Sequence, residues 1–543
     1  MLSAPEKDND ITMKILVAEP LAPAGLELLR AQKGWEIVVS NPKEYSAHLA
    51  DCDALLVRSA VKVSKDVLAK APELRVIGRA GVGVDNVDLK AATAAGVLVM
   101  NTPGGNAVSV AEHTFGFMLA MARAISQANA STKGGKWEKK KFLGNELRGK
   151  VLGIMGLGSI GREVVKRAKP FEMTLLAYDP YVSTQAGADM GVELVDLPTL
   201  YAQSDYISLH VALTPETDKI INADALAQMK QGVRIINVAR GELIDSAALN
   251  DAIKSGKVAG AALDVFDKEP PPEGYPLFQH DCVLATPHIG GSTEEAQEIV
   301  GIRIVEQVVD YLVTGVAVNA VNMPTLTADQ HKALGPYVEL ASRLGNFVAH
   351  VSTGNPCGIR FTYFGKIADS NTNLIRNAGV AGVLNRSLTH PANLVNAMPL
   401  AGERGWNIEE RHEKRLSHMD SIRIELETAA GLTTVEGAVV LDRPRLVLVD
   451  NIYCEAPLNG HLLFLKNDDV PGTIGYVGGV LGRNGINIAN FSLGRQDPPA
   501  ANESMPLEAI SVIETDDVVP DPILVELLKN HAIKMARPVE FIA

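Results

Sequence analysis

Cysteine is scarce in this chain. Cys52, Cys282, Cys357 and Cys454 are the only 4 in 543 residues, and no two stand in a C-x-x-C pair. That spacing excludes the common zinc patterns and a disulfide-stapled scaffold, so no metal site is expected and a reducing, cytoplasmic compartment fits best. Long hydrophobic runs are missing as well: nothing approaches the roughly 18 uninterrupted apolar residues of a membrane span. Residues 1–12 carry Glu6, Asp8 and Asp10 and no apolar stretch, which fits neither a signal peptide nor a typical transit peptide. Positive charge is also short, with 51 Lys+Arg against 64 Asp+Glu for a net −13. A nucleic-acid partner or an anionic membrane surface is therefore not expected. Any anionic substrate must be held by local arginines or lysines.

What the chain does have is glycine and alternation. With 47 Gly and 46% hydrophobic residues it suits a globular α/β protein, and its length implies about three or four domains. Val151–Met155 is an apolar run too short for a helix and reads as a buried strand. Gly156, Gly158 and Gly161 follow as G-x-G-x-x-G and open a helical segment. Glycines there permit a tight turn, close approach of a pyrophosphate and close helix packing, with free N–H groups at the helix start. A second strand, Thr174–Tyr178, ends in Asp179, close to the position about 20 residues on where an acid for the adenosine ribose belongs.

Around this motif the chain builds two doubly wound units. Strands at 14–18, 36–40, 53–57 and 75–78, with helices at 22–32 and 64–70, form the first. A turn-rich break at 99–106 and a long helix at 108–125 lead into the nucleotide-binding unit. Strands at 206–210, 233–239, 258–264 and 283–286 continue it. A second long helix, 293–313, is expected to return to the first unit, so that the nucleotide domain is an insertion. Residues 325–455 mix a helix at 331–344 with β-rich segments such as 359–364 and 421–426. From Gly460 on, a turn at 467–472, a loop at 495–505 and short elements spell a compact βαββαβ unit.

Several polar residues sit where an open parallel sheet binds ligands, at strand carboxyl ends. Arg58, beside Ser59, and Arg79, before Gly81, are two. Arg240, Glu269 and His288 are three more. Reducing a 2-oxo acid, or oxidising the alcohol, needs a cation on the carboxylate and a group to handle one proton. Arg240 suits the first role through a planar bidentate contact. His288 suits the second, with Glu269 on its far ring nitrogen. Taken singly each residue has an ordinary explanation; behind one nucleotide fold they make a reaction.

The segments 78–86, 156–162, 237–241, 260–266 and 287–293 resemble the D-2-hydroxyacid dehydrogenase family, in the long form that oxidises 3-phosphoglycerate. The resemblance covers almost the whole chain. It implies two Rossmann-like domains, substrate-binding (13–106 and 293–323) and NAD-binding (107–292), then an α+β intervening domain (324–458) and an ACT domain (460–543). It implies Arg240, Glu269 and His288 as the catalytic set and NAD as cofactor. Beyond the glycines, the NAD contacts fall on Ser159, Ile160, Asp179, Val211, Val238, Ala239, Arg240, Asp264, His288, Gly290 and Gly291. Positions 82 and 211, often Thr in relatives, are Val82 and Val211 here, which removes two hydroxyls. Substrate contacts fall on Arg58, Ser59, Arg79, Gly81, Arg240 and His288, and Lys139 falls where relatives place a base that reaches a neighbouring subunit. The ACT resemblance, carried by 469–475 and 486–488, implies L-serine as effector at Asn467, Asp469 and Asn487 and a homo-oligomer, dimer or tetramer. Another 2-hydroxyacid dehydrogenase and an NAD-sensing binding protein stay open as alternatives.

Overall fold

Five short, largely buried strands open the structure: β1 (Met13–Val17), β2 (Trp35–Val39), β3 (Ala54–Val57), β4 (Val76–Arg79) and β5 (Leu98–Met100). They pair in parallel in the order β2-β1-β3-β4-β5. The computed structural model describes residues 13–414, 419–496 and 507–541. The acidic start of the chain, 1–12, and most of the expected loop at 495–505 lie outside the described residues.

The helix Ala107–Arg123 carries the chain into a second sheet. Its seven parallel strands are β6 (Val151–Met155), β7 (Thr174–Tyr178), β8 (Glu193–Leu194), β9 (Tyr206–Leu209), β10 (Val233–Asn237), β11 (Val258–Leu263) and β12 (Val283–Ala285). They run in the order β12-β11-β10-β9-β6-β7-β8, which reverses direction between β6 and β9. That reversal opens a crevice at the strand carboxyl ends, the usual ligand position of such a sheet. The helix Glu294–Thr314 then returns to the first sheet, where Ile304, Val305 and Val308 are wholly buried with Val17, Leu56 and Val76. Where the two connecting helices pass, the hydroxyls of Ser109 and Thr293 lie 2.8 Å apart. The second Rossmann-like unit is thus inserted into the first.

A six-stranded sheet follows: β13 (Pro356–Phe364), β14 (Asn407–Glu413), β15 (Ser421–Thr428), β16 (Gly431–Val440), β17 (Arg443–Val449) and β18 (Ile452–Pro457), in the order β14-β13-β15-β16-β17-β18. Only β13 and β14 pair in parallel. The helices Ala328–Val351 and Asn373–Leu384 contribute Leu340, Phe347, Val380 and Leu384 to the core over this sheet. The first exceeds its expected 331–344 span at both ends, and a capping box of Thr327 and Gln330 fixes its earlier start. The last unit strings β19 (Gly460–Asp468), a helix, β20 (Ile488–Arg495), β21 (Glu508–Thr515), a helix and β22 (Ile533–Phe541) into the βαββαβ order. Phe464, Ile510 and Val512 of that unit share one core with Phe347 and Leu344 of the preceding one. The ring of Phe347 meets Phe464 edge-on at 5.7 Å.

Candidate active site

The glycine loop leaves β6 at the sheet reversal, and its three glycines answer to different constraints. Gly156 has φ +95°, and a Cβ there would lie 2.7 Å from the His210 carbonyl oxygen. A Cβ at Gly161 would collide with the carbonyl of Gly156, so these two are required by the chain's own packing. A Cβ at Gly158 meets nothing within 4 Å. This middle glycine opens onto free space at the start of the helix Ser159–Ala168, whose N-terminus carries no side-chain cap. Bare N–H groups and an unobstructed approach are what a pyrophosphate requires. Asp179 stands beside the loop, its carboxylate accepting the N–H groups of Leu157 (2.8 Å) and Tyr181 (2.9 Å).

One cleft of about 430 Å³ gathers most of the expected residues. From the glycine loop come Gly158, Ser159 and Ile160; from the ends of β9, β10 and β11 come Val211, Val238, Ala239, Arg240 and Asp264; and His288, Gly290 and Gly291 follow β12. The first sheet contributes Arg79 and the loop from Val82 to Asp85. This loop is pressed by two guanidinium groups. A Cβ at Gly81, where φ is +144°, would collide with Arg79, and one at Gly83 would collide with Arg240. Burial pulls the Arg79 pKa down from its ordinary value, and the nearby charge of Arg240 pulls the same way. Two cations this close make a strong anion site. Arg240 is meanwhile held by Asp85 at 2.9 Å and donates to the Ala239 carbonyl at 2.6 Å.

His288 adopts φ +54°, a left-handed conformation unusual for a non-glycine residue. Its N–H donates to the Asp264 carbonyl at 2.8 Å, and its Nδ1 lies 2.8 Å from Glu269 Oε2. Glu269 is held in turn by the Phe266 N–H at 3.1 Å. With a carboxylate accepting at Nδ1, the remaining nitrogen, Nε2, is the one left able to exchange a proton. The buried carboxylate of Asp264 knits the loop below, accepting from Thr286 Oγ1 (2.5 Å) and the N–H groups of Ile289 (2.8 Å) and Gly290 (2.7 Å). Burial pushes its pKa up, but the hydrogen bonds from His113, Thr286 and those N–H groups outweigh it and hold the carboxyl below its ordinary value.

Some expected residues stand apart. Arg58 lines, with Ala80, a separate cavity of about 580 Å³, and its guanidinium reaches the Pro20 carbonyl at 3.5 Å. Exposed Ser59 and Lys139, on a 3-10 turn at Lys139–Phe142, line neither cavity. In the last unit, Asn467 and Asp469 line a pocket of about 380 Å³ with Arg495 and Ser511. Buried Asn467 leaves its Oδ1 without a partner there. Asn487 is elsewhere: it donates to Asp516 at 2.9 Å, at the opposite end of β21. Of the cleft residues to which the sequence assigns no role, two are titratable. Asp85 lies inside the 78–86 motif, where a charge among glycines was the available signal. His210 lines the cleft with an unpartnered Nδ1, and burial pushes its pKa down to about 3.

Comparison with known proteins agrees with this geometry. The family model for the NAD-binding domain of D-isomer specific 2-hydroxyacid dehydrogenases matches residues 115–290. That for the D-3-phosphoglycerate dehydrogenase intervening domain matches 333–450. Sheet order, glycine loop and cleft thus define an NAD-dependent oxidoreductase of the 2-hydroxyacid dehydrogenase class. A D-lactate dehydrogenase from Aquifex aeolicus, solved with NAD and lactic acid, is similar at 29% identity and TM-score 0.50, over 57% of this chain and 100% of that one. The D-3-phosphoglycerate dehydrogenase of Methanocaldococcus jannaschii is 42% identical over 524 residues, 96% of this chain and 98% of that protein. That of Archaeoglobus fulgidus is 41% identical over 534 residues, 97% and 100% respectively. The chain belongs to the D-3-phosphoglycerate dehydrogenase family. Its cofactor is NAD, and the open face of Gly158, the uncapped helix start and the fixed Asp179 carboxylate fit it.

Proposed function

We propose that the enzyme oxidises 3-phospho-D-glycerate to 3-phosphohydroxypyruvate, the first step of L-serine biosynthesis. The observation that carries this reading is the 81–85 loop pressed by Arg79 and Arg240, in the same cleft as His288, whose Nδ1 is paired with Glu269. Arg240 takes the substrate carboxylate, exchanging Asp85 for it. Arg79 takes the phosphate from the cleft, and Arg58, which lines the neighbouring cavity within electrostatic reach of Arg79, takes it from that side with Ser59 and the Gly81 backbone. His288 Nε2 accepts the proton of the C2 hydroxyl, and Glu269 stabilises the imidazolium that forms. Bound NAD supplies the hydride acceptor. Asp179 faces the adenosine ribose, where a 2′-phosphate would meet like charge, which favours NAD over NADP. The Ser159, Ile160, Val211, Val238, Ala239, Asp264, Gly290 and Gly291 positions line the cofactor.

In this reading residues 13–106 and 293–323 bind substrate, 107–292 bind NAD, 324–458 form the intervening domain and 460–543 an ACT domain. L-serine binds at Asn467, Asp469 and Asn487. Because Asn487 sits apart from the other two within one chain, such a site closes only between copies, which supports a homo-oligomer, dimer or tetramer. Lys139 then reaches a neighbouring copy's site. Among the described residues no helix is long and apolar enough to cross a membrane, and the four cysteines are free, which supports a cytoplasmic enzyme. Turnover of folded His288→Ala with phosphoglycerate and NAD tests the mechanism. A fall of about 10²- to 10⁴-fold in kcat is expected for loss of a general base, and an unchanged kcat overturns the assignment. Repeating the wild-type assay with added L-serine tests the effector reading.

A further inference from the structure

Glu19 follows β1, is only 5% exposed, and takes no part in the reaction as described. Its carboxylate accepts three backbone N–H groups: Arg58 (2.9 Å) and Val61 (2.9 Å) on Oε1, and Ala60 (3.2 Å) on Oε2. All three donors belong to the turn that leaves β3 and carries Arg58 and Ser59. Asn86, at the end of the 81–85 loop that follows β4, closes the same turn from its carbonyl side. Its Nδ2 donates to the Arg58 carbonyl (2.8 Å) and the Val61 carbonyl (2.7 Å). Two side chains from other strand ends thus satisfy the backbone of one short turn.

Burying a full negative charge is costly unless it is well bonded, and a neutral side chain can secure an ordinary turn. The charge has a second use here. Glu19 lies within electrostatic reach of Arg79, on which Arg58 and Arg240 also press with like charge. The carboxylate therefore offsets repulsion among cations that must converge on one substrate. The Arg58 side chain itself is loosely tied, since 3.5 Å to the Pro20 carbonyl is the outer limit of a hydrogen bond. Its placement depends on its backbone.

We propose that Glu19, with Asn86, is a positioning residue for substrate phosphate: it fixes the 58–61 turn so that Arg58 meets the phosphate already ordered. Preorganising one side of a contact in this way lowers the entropy lost on binding. The proposal rests on the reading of Arg58 as a phosphate ligand. Steady-state kinetics of Glu19→Gln, Asn86→Ser and Arg58→Gln, with 3-phospho-D-glycerate and with unphosphorylated D-glycerate, separate the two. Glu19→Gln should raise KM for phosphoglycerate about tenfold, with kcat, KM for NAD and kcat/KM for D-glycerate little changed. Asn86→Ser should act in the same direction, and it carries the comparison if Glu19→Gln does not fold. If Arg58→Gln raises KM for phosphoglycerate while both folded positioning variants leave it unchanged, the proposal is overturned. It is equally overturned if those variants impair phosphoglycerate and D-glycerate alike, as a merely structural residue would. An Arg58→Gln enzyme with normal KM overturns the reading beneath it.

Discussion

Arg240 is held by a carboxylate, that of Asp85. Asp85 is 68% exposed at its side chain and Arg240 27%, so their 2.9 Å ion pair is well solvated. Pairs of this kind contribute about 0–1 kcal/mol, too little to resist a substrate carboxylate that offers two parallel bonds. In the proposed mechanism Asp85 is a placeholder that aims the guanidinium and then yields to the substrate carboxylate. Arg240→Lys keeps the charge but loses the planar fork, and a fall of more than about 100-fold in kcat/KM is expected. Asp85→Asn should cost less than about tenfold, because the guanidinium keeps its bond to the Ala239 carbonyl. Measuring kcat/KM for both folded variants checks the ranking, and a larger loss for Asp85→Asn contradicts it. Of these two residues only Arg240 was legible in the sequence. It ends an apolar strand, where position alone suggests a ligand, whereas Asp85 shows its role only when β4 and β10 bring their loops together.

At the scale of elements, the glycine loop shows how much local pattern can specify. The strand β6, the turn and the helix Ser159–Ala168 are all local, so their order was legible from apolar runs and glycine spacing alone. The division of labour within the loop was not, since it depends on which atoms the fold brings near each Cα. Gly161→Ala forces a methyl into the Gly156 carbonyl and should destabilise or misfold the domain. Gly158→Ala finds empty space, so a folded protein with weaker NAD binding is expected. Thermal unfolding together with NAD titration distinguishes the two. Equal destabilisation by both, or NAD affinity unchanged in Gly158→Ala, contradicts this account. Other elements were opaque for the opposite reason. β14 is the charged stretch Asn407–Glu413, whose polar side chains hide a strand that exists because β13 pairs with it. β5 has three residues and is recognisable only beside β4.

Over the whole molecule, the connecting helices and the shared core set what each part can do. The Ser109–Thr293 contact places both crossings between the Rossmann-like units at one point, beside the cleft. The boundary expected near 458–460 is crossed by one core that joins Phe347 to Phe464, Ile510 and Val512. Long-range packing of this sort leaves no trace in local periodicity. The intervening unit also touches the first Rossmann-like unit, where Asn393 Nδ2 donates to the Gly96 carbonyl at 2.8 Å. The pocket at Asn467 and Asp469 is therefore joined to the catalytic half through packed contacts. All of this serves one chemical claim, that the cleft is built for a hydroxyacid carrying a phosphate. The most direct test is NAD reduction by the intact protein with 3-phospho-D-glycerate and with D-glycerate as the unphosphorylated comparison. Two guanidinium groups on the phosphate predict a kcat/KM for phosphoglycerate at least about 100-fold higher. Equal values for the two substrates would contradict the account.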